Sequence, residues 1–270
     1  MAMLSATTVE DGVRGFYDGY GWVGTDGGNG EDAAFRAFRP AYAGYHAAVE
    51  RRTLAAFDGL HGGLLIAGCG DMPASHLDLA RRFDRLACLD ISGRALTAAA
   101  TKLNRRAEIV RGSVLEPPFD EGGFDAVFCA HVLFHIDIDL QERAVDRLLR
   151  LLRPGGRLVV IYSNPRSPVR FATAAAERAR RLLPGAARAA PARPDLYFRR
   201  HPLGWWQRFA DRARIDIRPW DVIGSRDDRA LLWSDRAAKR FYAAAGRIEA
   251  RHPRVAAALW HYPMIVLERR

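Results

Sequence analysis

Two histidines four residues apart, His131 and His135 in "CAHVLFHI", follow an apolar run that reads as a strand. An imidazole titrates near neutrality, so placed at the carboxyl edge of a sheet it can take the proton of an attacking hydroxyl. If the segment after the strand is helical, the two rings share a face. His135 is the expected base and His131 a pocket residue; the competing reading has both capping a helix or bonding backbone. Just beyond, Asp137 and Asp139 in "HIDID" supply hard oxygen donors that with His135 could hold Mg2+. Acidic residues at a helix N-terminus also complement the helix dipole, and that reading is favoured. A second chemical centre is "LLIAGCGDM" at 64–72. A strand ending in Gly68-x-Gly70 lets the chain turn sharply and approach a bound group without side chains in between. Asp90 ends the next apolar run about 20 residues on, where a carboxylate can accept both hydroxyls of an adenosine ribose. The loop lacks the third glycine of a dinucleotide site, and Asp71 beside it would repel a pyrophosphate. A ligand without phosphates is expected.

The elements that must position these groups alternate. Strands read at 64–67, 85–90, 107–112, 124–130 and 156–163, with amphipathic helical patterns at 74–83, 92–104 and 140–152 between them. Ser92 is placed to cap the second helix. A leading helix is expected over 33–57. After strand five come a helical stretch, a Pro/Ala/Arg linker at 184–195, a strand over 215–223, helix over 226–252 and a closing strand "YPMIVLERR". The fold class that follows is α/β, a Rossmann-like doubly wound, mostly parallel seven-stranded sheet. Four segments are expected: an N-terminal lid and helix (1–60), a ligand-binding core (61–164), a helical insertion or cap (165–212), and C-terminal strands and helix completing the sheet (213–270). Upstream, "YDGYGWVGTDGGNGED" combines dense glycine with Tyr17, Tyr20 and Trp22, rings that are costly to leave in water. A lid carrying substrate contacts fits, and so does a packed N-terminal arm. Tyr197, His201, Trp205 and Trp206 in the insertion could stack on a sugar or anchor the insertion to the core.

Composition narrows the classes further. The net charge is +10, yet lysine occurs only at Lys102 and Lys239 and the arginines are scattered, often beside alanine or acids. No phosphate track is visible, and nucleic acid is disfavoured as a partner. The first eleven residues lack a basic and apolar leader, and no run of 18 uncharged apolar residues occurs, so no membrane span and a cytoplasmic location are expected. Cys69, Cys88 and Cys129 have neither CxxC spacing nor a nearby ligand set and are read as buried thiols.

The ordered set "LLIAGCGD", "LDIS", "GSVLEPPFDEGGFDAVFCAHVLFHI" and "LLRPGGRLVVI", over about residues 60–163, resembles class I S-adenosylmethionine-dependent methyltransferases. More narrowly, "FYDGYGW", "HVLFHI" and "YPMIVLE" are similar to bacterial polysaccharide and sugar O-methyltransferases, including the mycobacterial methylmannose polysaccharide group. The resemblance implies S-adenosylmethionine as cofactor, with Mg2+ to be tested. It places Ala67, Gly68 and Gly70 on the methionine and ribose side, Asp90 on the ribose hydroxyls and Ile91 on the adenine. Ser113 and Val114 would border the adenine edge, and Ala130 and His131 would close the pocket beneath the sulfonium. Ile66, Met72 and Ser113 depart from that pattern: an acid, a glycine and an aspartate are usual there. The expected activity is methyl transfer to a saccharide hydroxyl. The alternatives are O- or N-methylation of a small natural product, and a non-catalytic adenosyl-binding protein. A homodimer is compatible with the sequence, but no motif encodes it.

Overall fold

The computed structural model describes residues 2–21, 35, 38–104, 106–182 and 196–270. Its centre is one seven-stranded sheet in the order β3-β2-β1-β4-β5-β7-β6. The strands are β1 (Gly63–Ala67), β2 (Arg85–Asp90), β3 (Glu108–Arg111), β4 (Phe124–Ala130), β5 (Leu152–Ile161), β6 (Ala213–Asp221) and β7 (Tyr262–Arg269). Neighbours among β1 to β5 run parallel. β7 inserts antiparallel between β5 and β6. Every residue of β1 is buried, which is why that strand reads as a continuous apolar run: parallel strands are covered on both faces.

The helices are α1 (Ala2–Phe16), α2 (Tyr42–Ala55), α3 (Ala74–Ala80), α4 (Gly93–Leu103), α5 (Gln141–Leu151), α6 (Pro168–Arg181), α7 (Ser225–Leu231), α8 (Asp235–Arg251) and α9 (Pro253–Leu259). Ser92 caps α4 as expected, its Oγ accepting from the Ala95 N–H at 3.1 Å, and Asn104 ends that helix in the left-handed region. The helix read over 226–252 is broken. Leu232 is extended, Ser234 caps a new helix by accepting from the Ala237 N–H, and Pro253 starts a third. Of the leading helix expected over 33–57, Tyr42–Ala55 is helical, while residues 33, 34, 36 and 37 lie outside the described ones; α1 was not foreseen.

One face of the sheet packs on α5 and the 3₁₀ segment Leu203–Phe209, with Leu148, Trp206 and Phe209 fully buried. Trp205 and Trp206 are therefore core, with the His201 ring stacked on Trp205 at 4.4 Å. The opposite face packs on α3, α4 and Phe57 at the end of α2. A third cluster joins α2 to the end of β6, α8 and α9. Buried carboxylates fasten it: Asp228 pairs with Arg39 and accepts from the Tyr242 hydroxyl, and Glu249 accepts from Tyr45 and Trp260. All three cysteines are buried free thiols. Among the described residues, no helix is long and apolar enough to cross a membrane.

Candidate active site

A cavity of about 320 Å³ opens at the carboxyl ends of β1, β2 and β4, roofed by α1 and α2. Its floor is the turn after β1. Gly68 and Gly70 have φ of +74° and +55°, a region that costs side-chain-bearing residues energy. At Gly68 a Cβ would also collide with Val132 Cγ2. Asp90 reaches across from β2, with Oδ2 accepting from the Gly70 N–H at 2.8 Å and Oδ1 from the Ser92 N–H at 2.9 Å. Each oxygen keeps a further lone pair. Burial raises the Asp90 pKa against the lowering by those N–H groups.

The N-terminal segment closes this end. Asp18 accepts from the Ser92 hydroxyl at 2.5 Å, and Tyr17 lines the cavity with its phenol pushed up to about 12, by burial first and Asp90 second. Ser113 donates to Glu10 Oε2 of α1 at 2.6 Å. A carboxylate of α1 thus stands beside position 113. Ile91, Val114 and Ala130 line the cavity as well. Ala67 does not: it is fully buried in β1, one residue short of the turn. Tyr20 and Trp22 lie outside the residues whose side chains are described.

The loop departures face elsewhere. Met72 keeps the left-handed backbone of a glycine, with φ +56°, and buries its side chain in the core beside the Cys88 thiol at 3.8 Å. Ile66 is buried in the same cluster. Asp71 pairs with Lys102 Nζ at 2.8 Å and is absent from the cavity wall. Its charge is met locally, so Asp71 is not the group that excludes phosphate, a correction to the sequence reading.

The far end is built from histidines and rings. His131 and His135 do not share a helical face, because His131 has φ +61° and only a 3₁₀ turn, Leu133–His135, follows. Both nevertheless line the cavity. The His131 ring meets Trp220 and Tyr262 edge-on at 5.3 and 5.1 Å. His135 Nδ1 lies 2.8 Å from the Tyr197 carbonyl. A carbonyl only accepts, so Nδ1 carries the proton and Nε2 keeps its lone pair. Burial lowers the His135 pKa to about 4 and that of His131 to about 3, the latter helped by neighbouring His135, His76 and His261. His76 of α3 lines the same wall, its pKa lowered by burial to about 4. Sequence reasoning missed His76, Glu10 and the pair His46 and Glu50 of α2, which also line the cavity. Only the i, i+4 spacing of His46 and Glu50 was a local signal.

Asp137 lines the cavity, but its Oδ1 accepts from the Asp139 N–H at 3.0 Å, and Asp139 is exposed. With His135 Nδ1 held by Tyr197, these donors do not converge, and no group of three or more potential ligands is arranged for a metal among the described residues. The capping reading of Asp137 fits the geometry and the Mg2+ reading does not. The lining holds four carboxylates, Glu10, Glu50, Asp90 and Asp137, and no lysine or arginine among the described residues, in a chain of net charge +10.

Sheet order, the reversed seventh strand and a cavity at the strand ends make this a Rossmann-like methyltransferase fold. The solved DhpI–SAH complex covers 97% of this chain and 97% of its own, with a TM-score of 0.58 at 14% identity. Residues 65–160 match the family profile described as "Methyltransferase domain". Curated relatives include a demethylmenaquinone methyltransferase of Mycolicibacterium paratuberculosis, 39% identical over 40% of this chain and 45% of the relative. A second, of Mycolicibacterium gilvum, is 33% identical over 51% of this chain and 59% of the relative. The chain thus spans about half the length of the curated relatives it matches.

Proposed function

We propose that the protein transfers a methyl group from S-adenosylmethionine to a small-molecule acceptor. The observation that carries this reading is the lining: carboxylates without a single described cation, around a Gly-x-Gly turn with Asp90 beneath it. A phosphate-bearing ligand would meet repulsion there, whereas an adenosyl group with a cationic sulfur and an ammonium tail would be attracted. Asp90 would hold the ribose hydroxyls, Gly68 and Gly70 would let the backbone approach the tail, and Ile91 and Val114 would flank the adenine. Glu10, oriented by Ser113, would accept from the adenine amino group.

When bound, the sulfonium supplies an electrophilic methyl group. The chain's residues then align the acceptor and exclude water. His135, neutral above about pH 4, receives the acceptor's proton on Nε2, and the Tyr197 carbonyl steadies the imidazolium through Nδ1–H. His131 and Trp220 form the wall against which the acceptor packs. The relatives' names support an apolar acceptor more than the saccharide hydroxyl expected from the short motifs, and so do the rings of Tyr17, Phe128 and Trp220 in the lining.

The test is calorimetry with S-adenosylmethionine, followed by incubation with the labelled cofactor and a fractionated bacterial extract. Micromolar binding and label in a small-molecule fraction are expected. Absence of binding would sink the proposal, and label in oligosaccharide would return the acceptor to a saccharide.

A further inference from the structure

A second, smaller cavity of about 190 Å³ lies behind the first. His46, His131 and Trp220 line both, so the two share a wall made of two imidazoles and an indole. Beyond that wall the lining is aromatic, with Phe35, Tyr42 and Tyr262 joining Trp220. Into this ring-lined box β6 delivers one carboxylate, Asp221, which is 5% exposed. Asp221 Oδ2 accepts from the Tyr42 hydroxyl at 2.5 Å, and Oδ1 accepts a long 3.4 Å bond from the Ile223 N–H.

A buried carboxylate is ordinarily matched by a cation. Among the described residues no arginine or lysine forms an ion pair with Asp221, and none lines this cavity. Burial pushes the Asp221 pKa up to about 7, against the lowering by the Tyr42 hydroxyl, the Ile223 N–H and the nearby Arg52 charge, which is itself paired with Glu249. The other buried carboxylates of this cluster are better served: Asp228 has Arg39, Glu249 has Arg52 and Asp227 has His261. Asp221 is the exception, and it opens onto this cavity.

We propose that this second cavity is an acceptor subsite for a protonated amine, with Asp221 as counter-charge and Tyr42, Trp220 and Tyr262 as the surrounding ring faces. Aromatic faces attract an ammonium group through their quadrupoles, and a carboxylate behind them fixes its position. His131 and Trp220 line both cavities, so an acceptor anchored there lies against the wall of the larger one. This inference rests on the methyltransferase reading for the meaning of "acceptor", while the amine site itself can be tested without it.

The probes are benzylamine and benzyl alcohol, which match in shape and differ in charge. They are titrated at pH 8 into the full chain, with and without saturating S-adenosylhomocysteine. Benzylamine is expected to bind at least tenfold more tightly than the alcohol. Asp221→Asn should cut that preference below threefold while S-adenosylhomocysteine affinity stays within twofold. Tyr42→Phe, which removes a tie to Asp221 but keeps the charge, should preserve the preference and so separates charge recognition from packing. Equal binding of the two probes, or a preference surviving Asp221→Asn, would overturn the subsite. Failure of S-adenosylhomocysteine to bind would instead overturn the methyltransferase reading, with the amine preference of the unloaded protein still deciding this one.

Discussion

The two ends of the large cavity are made in different ways. At the β1–β2 end, backbone does the work: two glycines in left-handed geometry and two N–H groups converge on Asp90. At the β4–β6 end, side chains do it. His46, His76, His131, His135 and Trp220 arrive from four separate segments, and the insertion contributes the Tyr197 carbonyl that fixes the tautomer of His135. On the proposed function the first end receives the one constant ligand, the cofactor. The second is an assembly whose members can be exchanged without disturbing the turn, as expected where acceptor specificity is set.

Substitutions can break this division. Asp90→Ala should weaken S-adenosylmethionine binding by more than about 100-fold in calorimetry, because it removes the ribose acceptor and frees two N–H groups at once. His135→Ala should leave the cofactor Kd within about twofold yet lower kcat by roughly 10²-fold, within the range for loss of a general base. A matching loss of cofactor affinity would show that the two ends are one unit. Glu10→Gln should raise the cofactor Kd about tenfold without altering kcat, the loss of one charge-assisted bond.

The smallest effect is on stability against pH. His76 has a folded pKa near 4 against about 6.5 when unfolded. The unfolded chain therefore binds more protons between those values, and the stability that neutral His76 carries is present above pH 6.5 and lost as pH falls through 4. Asp221 works oppositely: its folded pKa near 7 lies above the ordinary 3.8, so its contribution is full below 3.8 and lost as pH rises through 7. Urea unfolding of His76→Phe should show a shallower acid loss than the parent between pH 6.5 and 4. Asp221→Asn should gain stability relative to the parent as pH rises from 3.8 to 7 and hold that gain above it.

The same division explains what the sequence disclosed. Gly68, Gly70, Asp90 and Ser92 were legible because their roles depend on backbone geometry that few residue types satisfy. Ala67 was placed one residue too far into the ligand site, since a strand's end and its turn share the same apolar run. His131 and His135 were found as a pair, but the left-handed φ of His131 made their relation a turn instead of a helical face. Met72 looked like a lost glycine, although its backbone retains the glycine conformation and its side chain serves the core. Glu10 and His76 carried no motif, because tertiary packing of α1 and α3 alone brings them to the cavity. The break at 232–234 was overlooked because Ser234 sits inside a pattern that is otherwise continuously helical.

The contrast between the anionic lining and the basic exterior has a kinetic consequence. A sulfonium approaching a body of net charge +10 climbs a repulsive field before it reaches the carboxylates around Asp90, so long-range charge slows its arrival while short-range charge prolongs its stay. Salt screens the first effect over about 8 Å at physiological strength and reaches the enclosed carboxylates far less. Association with a cationic ligand therefore quickens as ionic strength rises, the reverse of the steering seen when protein and ligand carry opposite charges.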